Sequence, residues 1–186
     1  MNDAFNRDGH LLTAVRDLVA KNKIDVIIET GTYHGITTRE LSLMATTHTI
    51  ESNLEYFNIA SDNLVGFEVT RHYGSSPDVL RELLPALEGK KVFLFLDAHW
   101  NGTPLLEELE AIAESGLKPW IAIHDFKVPN KDFGFDTYNG QDYEWEWIAP
   151  YVEKIYGKKY NHYYNDVAEG ARRGVVFIQP KTKANV

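Results

Sequence analysis

The chain contains no cysteine, an absence that removes disulfides, thiolate nucleophiles and thiolate-held zinc together and fits a reducing compartment such as the cytoplasm. Cations are scarce as well, with 19 Lys and Arg against 27 Asp and Glu and a net charge of -8. Surfaces that neutralise nucleic-acid phosphates need clustered Lys and Arg, so nucleic acid is excluded as the main partner and a small molecule is favoured. No apolar run approaches the roughly 20 residues that cross a bilayer. Asp3, Arg7, Asp8 and His10 precede Leu11 where a secretory signal would need an apolar core, so a soluble protein with no membrane partner is expected. Repeats and low-complexity tracts are missing too, and only Lys181 to Val186 reads as a loose tail.

What is present suffices for one well-packed domain over residues 1–186, with 44% hydrophobic and 12% aromatic content. Leu11, Leu12, Val15, Leu18 and Val19 recur at helical spacing, and a buried strand from Ile24 follows them. The spacing then predicts a helix over 36–45, a strand over 47–51, a helix marked by Leu54, Phe57, Ala60 and Leu64, and a third strand with Phe67, Val69 and Tyr73. Pro77 opens the next helix. The uninterrupted Val92-Phe93-Leu94-Phe95-Leu96 reads as a strand covered on both faces, at the centre of the sheet. Thr103 as N-cap, Pro104 behind it and Glu107 and Glu108 against the positive dipole end mark a helix that Gly116 stops. A strand from Trp120 to Ile123, an irregular stretch over 128–146, a helix over 147–156 and two closing antiparallel strands over 161–165 and 175–179 complete the pattern. This alternation is an α/β class: a Rossmann-like, doubly wound, mostly parallel sheet of seven strands with helices on both faces.

In such a sheet the ligand crevice lies beyond the carboxyl ends of the strands, and here those ends are polar. The first strand ends at Glu29 and opens onto Gly31-Thr32-Tyr33-His34-Gly35, with Thr37 at the next helix start; the second ends at Glu51-Ser52, the third at Gly74-Ser75-Ser76, the fourth at Asp97-Ala98-His99-Trp100 and the fifth at His124-Asp125. Glycine lets a backbone approach a ligand closely. Glu51 is either a solvated acid before a helix or a ribose ligand, and its place one β-α-β unit after the glycine turn favours ribose. Asp97 and Asp125 repel each other unless a cation or proton lies between them, which a hard divalent ion such as Mg²⁺ would supply; alternatively one caps a helix and the other bonds a turn amide. His99 and His124 are the acid/base candidates, His124 also reading as a packed residue that orients its neighbour. The other histidines show no metal-ligand spacing.

The segment 126–147 carries Phe126, Phe133, Phe135, Tyr138, Tyr143, Trp145 and Trp147 among Asp132, Asp136, Asp142, Glu144 and Glu146. A loop this long with this aromatic content reads as a substrate cap or as a homo-oligomer interface.

The stretch Glu29-Thr30-Gly31-Thr32-Tyr33-His34-Gly35, the acid Glu51 and Leu96-Asp97-Ala98-His99-Trp100 resemble, in turn, motif I, the acid after strand two and motif IV of the class I S-adenosylmethionine-dependent methyltransferases. The closing strand pair resembles that family's reversed seventh strand. The Leu-Asp-Ala-His-Trp and Ile-His-Asp endings are similar to small-molecule O-methyltransferases of the catechol and macrolide-sugar types. The resemblance implies S-adenosylmethionine as cofactor, held by Glu29, Gly31, Thr32, Tyr33, Gly35, Thr37, Glu51, Ser52, Ser75, Ser76, Asp97 and His99. It further implies a phenol- or sugar-like acceptor, Asp97 and Asp125 as ligands of Mg²⁺ or another divalent cation, and catalysis by His99, Asp97 and His124. The pattern departs from the catechol type in having no third carboxylate or amide ligand and no lysine after His99-Trp100. Two other readings remain open: a non-catalytic nucleotide-fold module that binds a protein through the aromatic segment, and a nicotinamide-dinucleotide enzyme, which the glycine spacing disfavours.

Overall fold

The computed structural model describes residues 3–99 and 102–181; Trp100 and most of the expected tail lie outside the described residues. Strands β1 (Val26–Thr30), β2 (Thr46–Glu51), β3 (Val69–Tyr73), β4 (Val92–Leu96), β5 (Trp120–His124), β8 (Tyr160–Tyr164) and β9 (Val175–Pro180) form one sheet, and β6 (Thr137–Tyr138) with β7 (Gln141–Asp142) form a separate hairpin. The seven-stranded sheet runs β3-β2-β1-β4-β5-β9-β8. Its first five strands pair in parallel, and β9 is antiparallel to both β5 and β8. The expected mostly parallel sheet with a reversed last strand is therefore present, with β4 at its centre and the reversed strand inserted between β5 and β8.

The strand sequences explain this order. β1, β4 and β5 are buried along their whole length, and only strands covered on both faces can be so uniformly apolar. Their alternate residues feed two cores. Val26, Ile28, Leu94, Leu96, Ile121 and Ile123 face α4 (Ser76–Leu83), α5 (Leu105–Ser115) and α6 (Trp145–Tyr156), while Ile27, Phe93, Phe95, Trp120 and Ala122 face α1 (Gly9–Asn22), α2 (Ile36–Ser42) and the buried Phe5. Asp8 caps α1 by accepting from the Leu11 amide at 2.9 Å, and Asn53 caps α3 (Leu54–Asn63).

Several boundaries differ from the sequence expectation. α2 ends at Ser42 because Leu43 and Met44 bond back to Glu40 and Leu41 in a tighter turn. Pro104, and not Thr103, takes the N-cap position of α5, while Thr103 Oγ1 accepts from the Leu105 amide at 3.3 Å. α6 starts at Trp145 and continues through Pro150. The stretch read as irregular holds the β6–β7 hairpin, closed by Asn139 and Gly140 at φ 51° and 80°, the Asn-Gly turn whose twist suits a two-residue hairpin. No helix among the described residues is long and apolar enough to cross a membrane.

Glu29 is the one acid inside β1, and strand parity turns it away from the crevice mouth toward α2. Its Oε2 accepts from Thr38 at 2.5 Å and from Thr49 at 2.7 Å. Burial pushes its pKa up to about 8 from 4.5, against the two threonine hydrogen bonds that favour the anion. Below about pH 4.5 both folded and unfolded chains carry this proton; between that pH and about 8 only the folded chain does, so folding stability falls as pH rises, by up to about 5 kcal/mol. Glu29→Gln, a neutral isostere, is expected to gain on wild type in urea midpoint steadily from pH 5 to pH 9; parallel profiles would refute the buried-acid account.

Candidate functional site

The site begins at the reversal of strand order between β1 and β4, where the carboxyl ends leave a crevice. Gly31 has φ +83°, and a Cβ on it would stand 2.6 Å from the Asp97 carbonyl oxygen, so the turn after β1 lies directly on the end of β4. The Gly31 and Thr32 amides donate to Ile50 O at 3.0 and 3.3 Å, tying the same turn to β2. Tyr33, at φ 51°, points its amide at Glu51 Oε2, 2.9 Å away, and the Asn53 amide donates to Oε1 at 2.8 Å. Glu51 is thus fixed over the glycine turn with one acceptor site of each oxygen used and others free. The Tyr33 ring, 46% exposed, stacks on His34 at 3.8 Å and meets Tyr56 edge-on.

Several expected cofactor residues spend their side chains inside the protein. Besides Glu29, Thr32 bonds Thr49 at 2.6 Å, Thr37 Oγ1 accepts the Phe5 amide at 3.0 Å, and Ser76 donates to Glu108 at 2.5 Å. Gly31, Tyr33, Gly35 and Glu51 converge, while Ser52 and Ser75 are exposed at the neighbouring strand ends.

On the other side of Asp97 the structure gathers Asp97, His99, His124 and Asp125, together with two residues that sequence reading did not place in the site, Asp136 and Arg173. His99 Nε2 lies 2.6 Å from Asp125 Oδ2 and 3.6 Å from Asp136 Oδ2, and its Nδ1 lies 3.6 Å from Asp97 Oδ1. His124 Nδ1 stands 3.0 Å from Asp97 Oδ1 and 3.3 Å from Asp125 Oδ2. Arg173 donates through Nε to Asp125 Oδ1 and through Nη2 to Asp136 Oδ1. Bare backbone makes room for it. A Cβ on Gly134 would come within 2.8 Å of Arg173 Nη1, and one on Gly174 would strike the Phe126 carbonyl. The segment 126–147 closes this side, with Tyr138 donating to the His99 carbonyl and the Asp136 amide to Asp125 O.

Burial works against a charged ring at both histidines, yet the carboxylates win: Asp125 and Asp97, with Asp136, hold His99 above the ordinary imidazole range, and Asp97 and Asp125 hold His124 well above it. Asp125 is lowered in turn because the two rings outweigh its burial. The cluster therefore sets three carboxyl groups against a guanidinium and two imidazoles whose charged forms they favour. Beneath it, Glu108, read from sequence as a first-turn acid against the helix dipole, is also buried, and burial lifts its pKa to about 7 against hydrogen bonds from Ser76 and Thr30. His48 and His72, distant in sequence, meet at 3.0 Å through the β2–β3 register.

The two turn glycines are expected to respond differently to substitution. Gly31→Ala sets a Cβ against backbone that cannot yield, whereas a Cβ on Gly35 would meet the flexible Leu64 side chain at 3.1 Å. Gly31→Ala should cost about 2 kcal/mol or more of stability and Gly35→Ala about 1 kcal/mol, read from denaturant midpoints; a reversed order would contradict the packing described.

No family model matches the chain, and no curated protein does. Solved structures do. The O-methyltransferase TomG of Streptomyces achromogenes, involved in tomaymycin synthesis and solved with S-adenosylmethionine (SAM), aligns over 93% of this chain and 80% of its own at 16% identity and a TM-score of 0.66. An O-methyltransferase from Bacillus cereus in complex with S-adenosylhomocysteine (SAH) aligns over 93% and 81% at 15% identity with a TM-score of 0.66. The SAH-bound methyltransferase PaMTH1 of Podospora anserina aligns over 92% and 78% at 16% identity with a TM-score of 0.61. The fold of this chain is the fold of the SAM-dependent methyltransferases.

Proposed function

We propose that the protein transfers a methyl group from SAM to a hydroxyl oxygen of a small molecule. The observation that carries this reading is the convergence of the Gly31 turn, Glu51 and the Asp97–His99–Asp125 cluster at the carboxyl ends of β1, β2, β4 and β5. When bound, SAM supplies an electrophilic methyl group on a sulfonium, so the protein's task is largely positioning. The free acceptor sites of Glu51 suit two ribose hydroxyls, and the close backbone of Gly31 lets the ligand lie against the sheet. Ser52 and Ser75 flank the same crevice. Segment 126–147 serves as the cap that excludes water from it.

The acceptor would lie toward His99. With Nε2 held by Asp125, Nδ1 is the nitrogen turned to a substrate, and as an imidazolium it stabilises an oxyanion by donating a hydrogen bond. That chemistry favours a hydroxyl that ionises readily, such as a phenol or enol, over a sugar alcohol. Asp97, 3.6 Å from Nδ1, holds the ring in place and accepts the hydroxyl proton as it leaves. A divalent ion on Asp97 and Asp125 would do the same for the acceptor, but His124 Nδ1 and Arg173 already hold those carboxylates.

Calorimetry with SAM and SAH is expected to give micromolar binding, with Glu51→Ala weakening it about 10-fold or more through lost ribose hydrogen bonds; no heat at millimolar ligand would end the reading. Across a series of phenols of rising pKa, His99→Asn should lower turnover by about 10²-fold or more, most for the least acidic phenols, with SAM affinity retained. A loss independent of phenol acidity would remove His99 from the oxyanion role.

A further inference from the structure

We propose that Arg173 takes the place that a divalent cation would hold in this acid cluster, so that the site is closed to metal by a cation belonging to the chain itself. Asp97, His99 and Asp125 each present one ligand atom within 4.8 Å of the others, the spacing of a metal-binding trio. Most of that donor set is nevertheless engaged, Asp125 above all. Asp125 is engaged on both oxygens: Arg173 Nε donates to Oδ1 and His99 Nε2 lies 2.6 Å from Oδ2, with His124 Nδ1, whose hydrogen bond goes to Asp97, 3.3 Å from the same oxygen. Asp97 Oδ1 receives His124 Nδ1 at 3.0 Å. His99 Nε2, the nitrogen nearest the acids, is turned to Asp125 and offers no lone pair while it donates there.

The guanidinium also does the mechanical work of a bridging ion. It ties Asp125, at the end of the sheet, to Asp136, in the segment that covers the crevice. A metal ion coordinating both carboxylates would join the same two pieces of chain. The planar fork of Arg suits two carboxylates better than a lysine would, and it never loses its charge in the physiological range. The cradle is built for it. Gly134 and Gly174 each leave out a side chain that would collide with Arg173 or with the backbone beside it. The Gly134 amide donates to Arg172 O at 2.8 Å and the Gly174 amide to Gly134 O at 2.9 Å, which seats the turn carrying Arg173 against the covering segment. One arginine thus performs both the neutralising and the linking role that the acids would otherwise ask of an ion.

The inference concerns the site of the proposed methyl transfer, but its test reads metal binding and can fail or succeed whether or not methyl transfer occurs. Mn²⁺ is titrated into the purified chain and followed by the loss of its free-ion electron paramagnetic resonance signal, with folding checked by circular dichroism. Wild type is expected to leave the signal unchanged up to about 1 mM Mn²⁺, and Arg173→Ala, which frees Asp125 and Asp136, to bind Mn²⁺ at least ~10-fold more tightly. Arg173→Lys keeps the charge and should bind no better than wild type. Submillimolar binding by wild type that Asp125→Asn abolishes would overturn the proposal. So would a folded Arg173→Ala that gains no affinity. If Arg173→Ala does not fold, the wild-type titration alone decides: binding lost in Asp125→Asn refutes the proposal and absence of binding upholds it.

Discussion

Three carboxylates cannot share a largely buried corner without cations between them, and this constraint organises everything around the crevice. Asp97, Asp125 and Asp136 come from the end of β4, the end of β5 and the segment 126–147. Left unanswered, their mutual repulsion would disfavour ionisation of all three together. His99, His124 and Arg173 resolve it. The two rings are raised and Asp125 is lowered by one and the same attraction, so the protonation states of the corner stand or fall together. Asp125 itself adopts φ 57°, an unfavourable backbone for a non-glycine residue that its contacts with Arg173, His99 and His124 hold in place.

The glycine turn is the second half of the same arrangement and not a separate device. Gly31 packs on the Asp97 backbone, and Asp97 begins the acid cluster, so a ligand held over the turn is placed beside His99 without any intervening loop. Below the surface the two halves are braced by polar links of unequal character. Glu29 joins the turn's strand to α2 and β2 through Thr38 and Thr49, and Glu108 joins α5 to the start of α4 through Ser76. Both are buried acids whose neutral forms are favoured by their surroundings, which suits a framework that carries no stray charge into a site where charge matters.

Fold and site were legible to different depths. The alternation of apolar runs with amphipathic helices, and the apolar VFLFL of β4, carried the sheet and its centre because burial on both faces leaves a direct compositional trace. Strand ends carried Glu51, Asp97, His99, His124 and Asp125, since topology alone brings those positions together. Arg173 was hidden because its partner Asp125 is separated from it by 48 positions, and a turn arginine beside a glycine looks like any solvated loop residue. The burial of Glu108 was hidden for a related reason: an acid in a first helical turn has an adequate local explanation, and only the approach of α4 reveals its burial. Strand parity, by contrast, could have shown that Glu29 and the crevice lie on different sides, and the Asn139-Gly140 pair could have announced the hairpin inside the aromatic segment.

The insertion of β9 between β5 and β8 has a consequence for the order in which the molecule is made. Arg173 sits immediately before β9, so during synthesis Asp97, Asp125 and Asp136 all leave the ribosome ahead of the cation that reconciles them. Until that strand slides into its gap, the emerging chain must keep the corner open and wet, with its carboxylates solvated. Completion of the sheet and neutralisation of the acid corner are then a single late event, and a nascent chain that has not yet received β9 has the sheet in outline but leaves that corner unanswered.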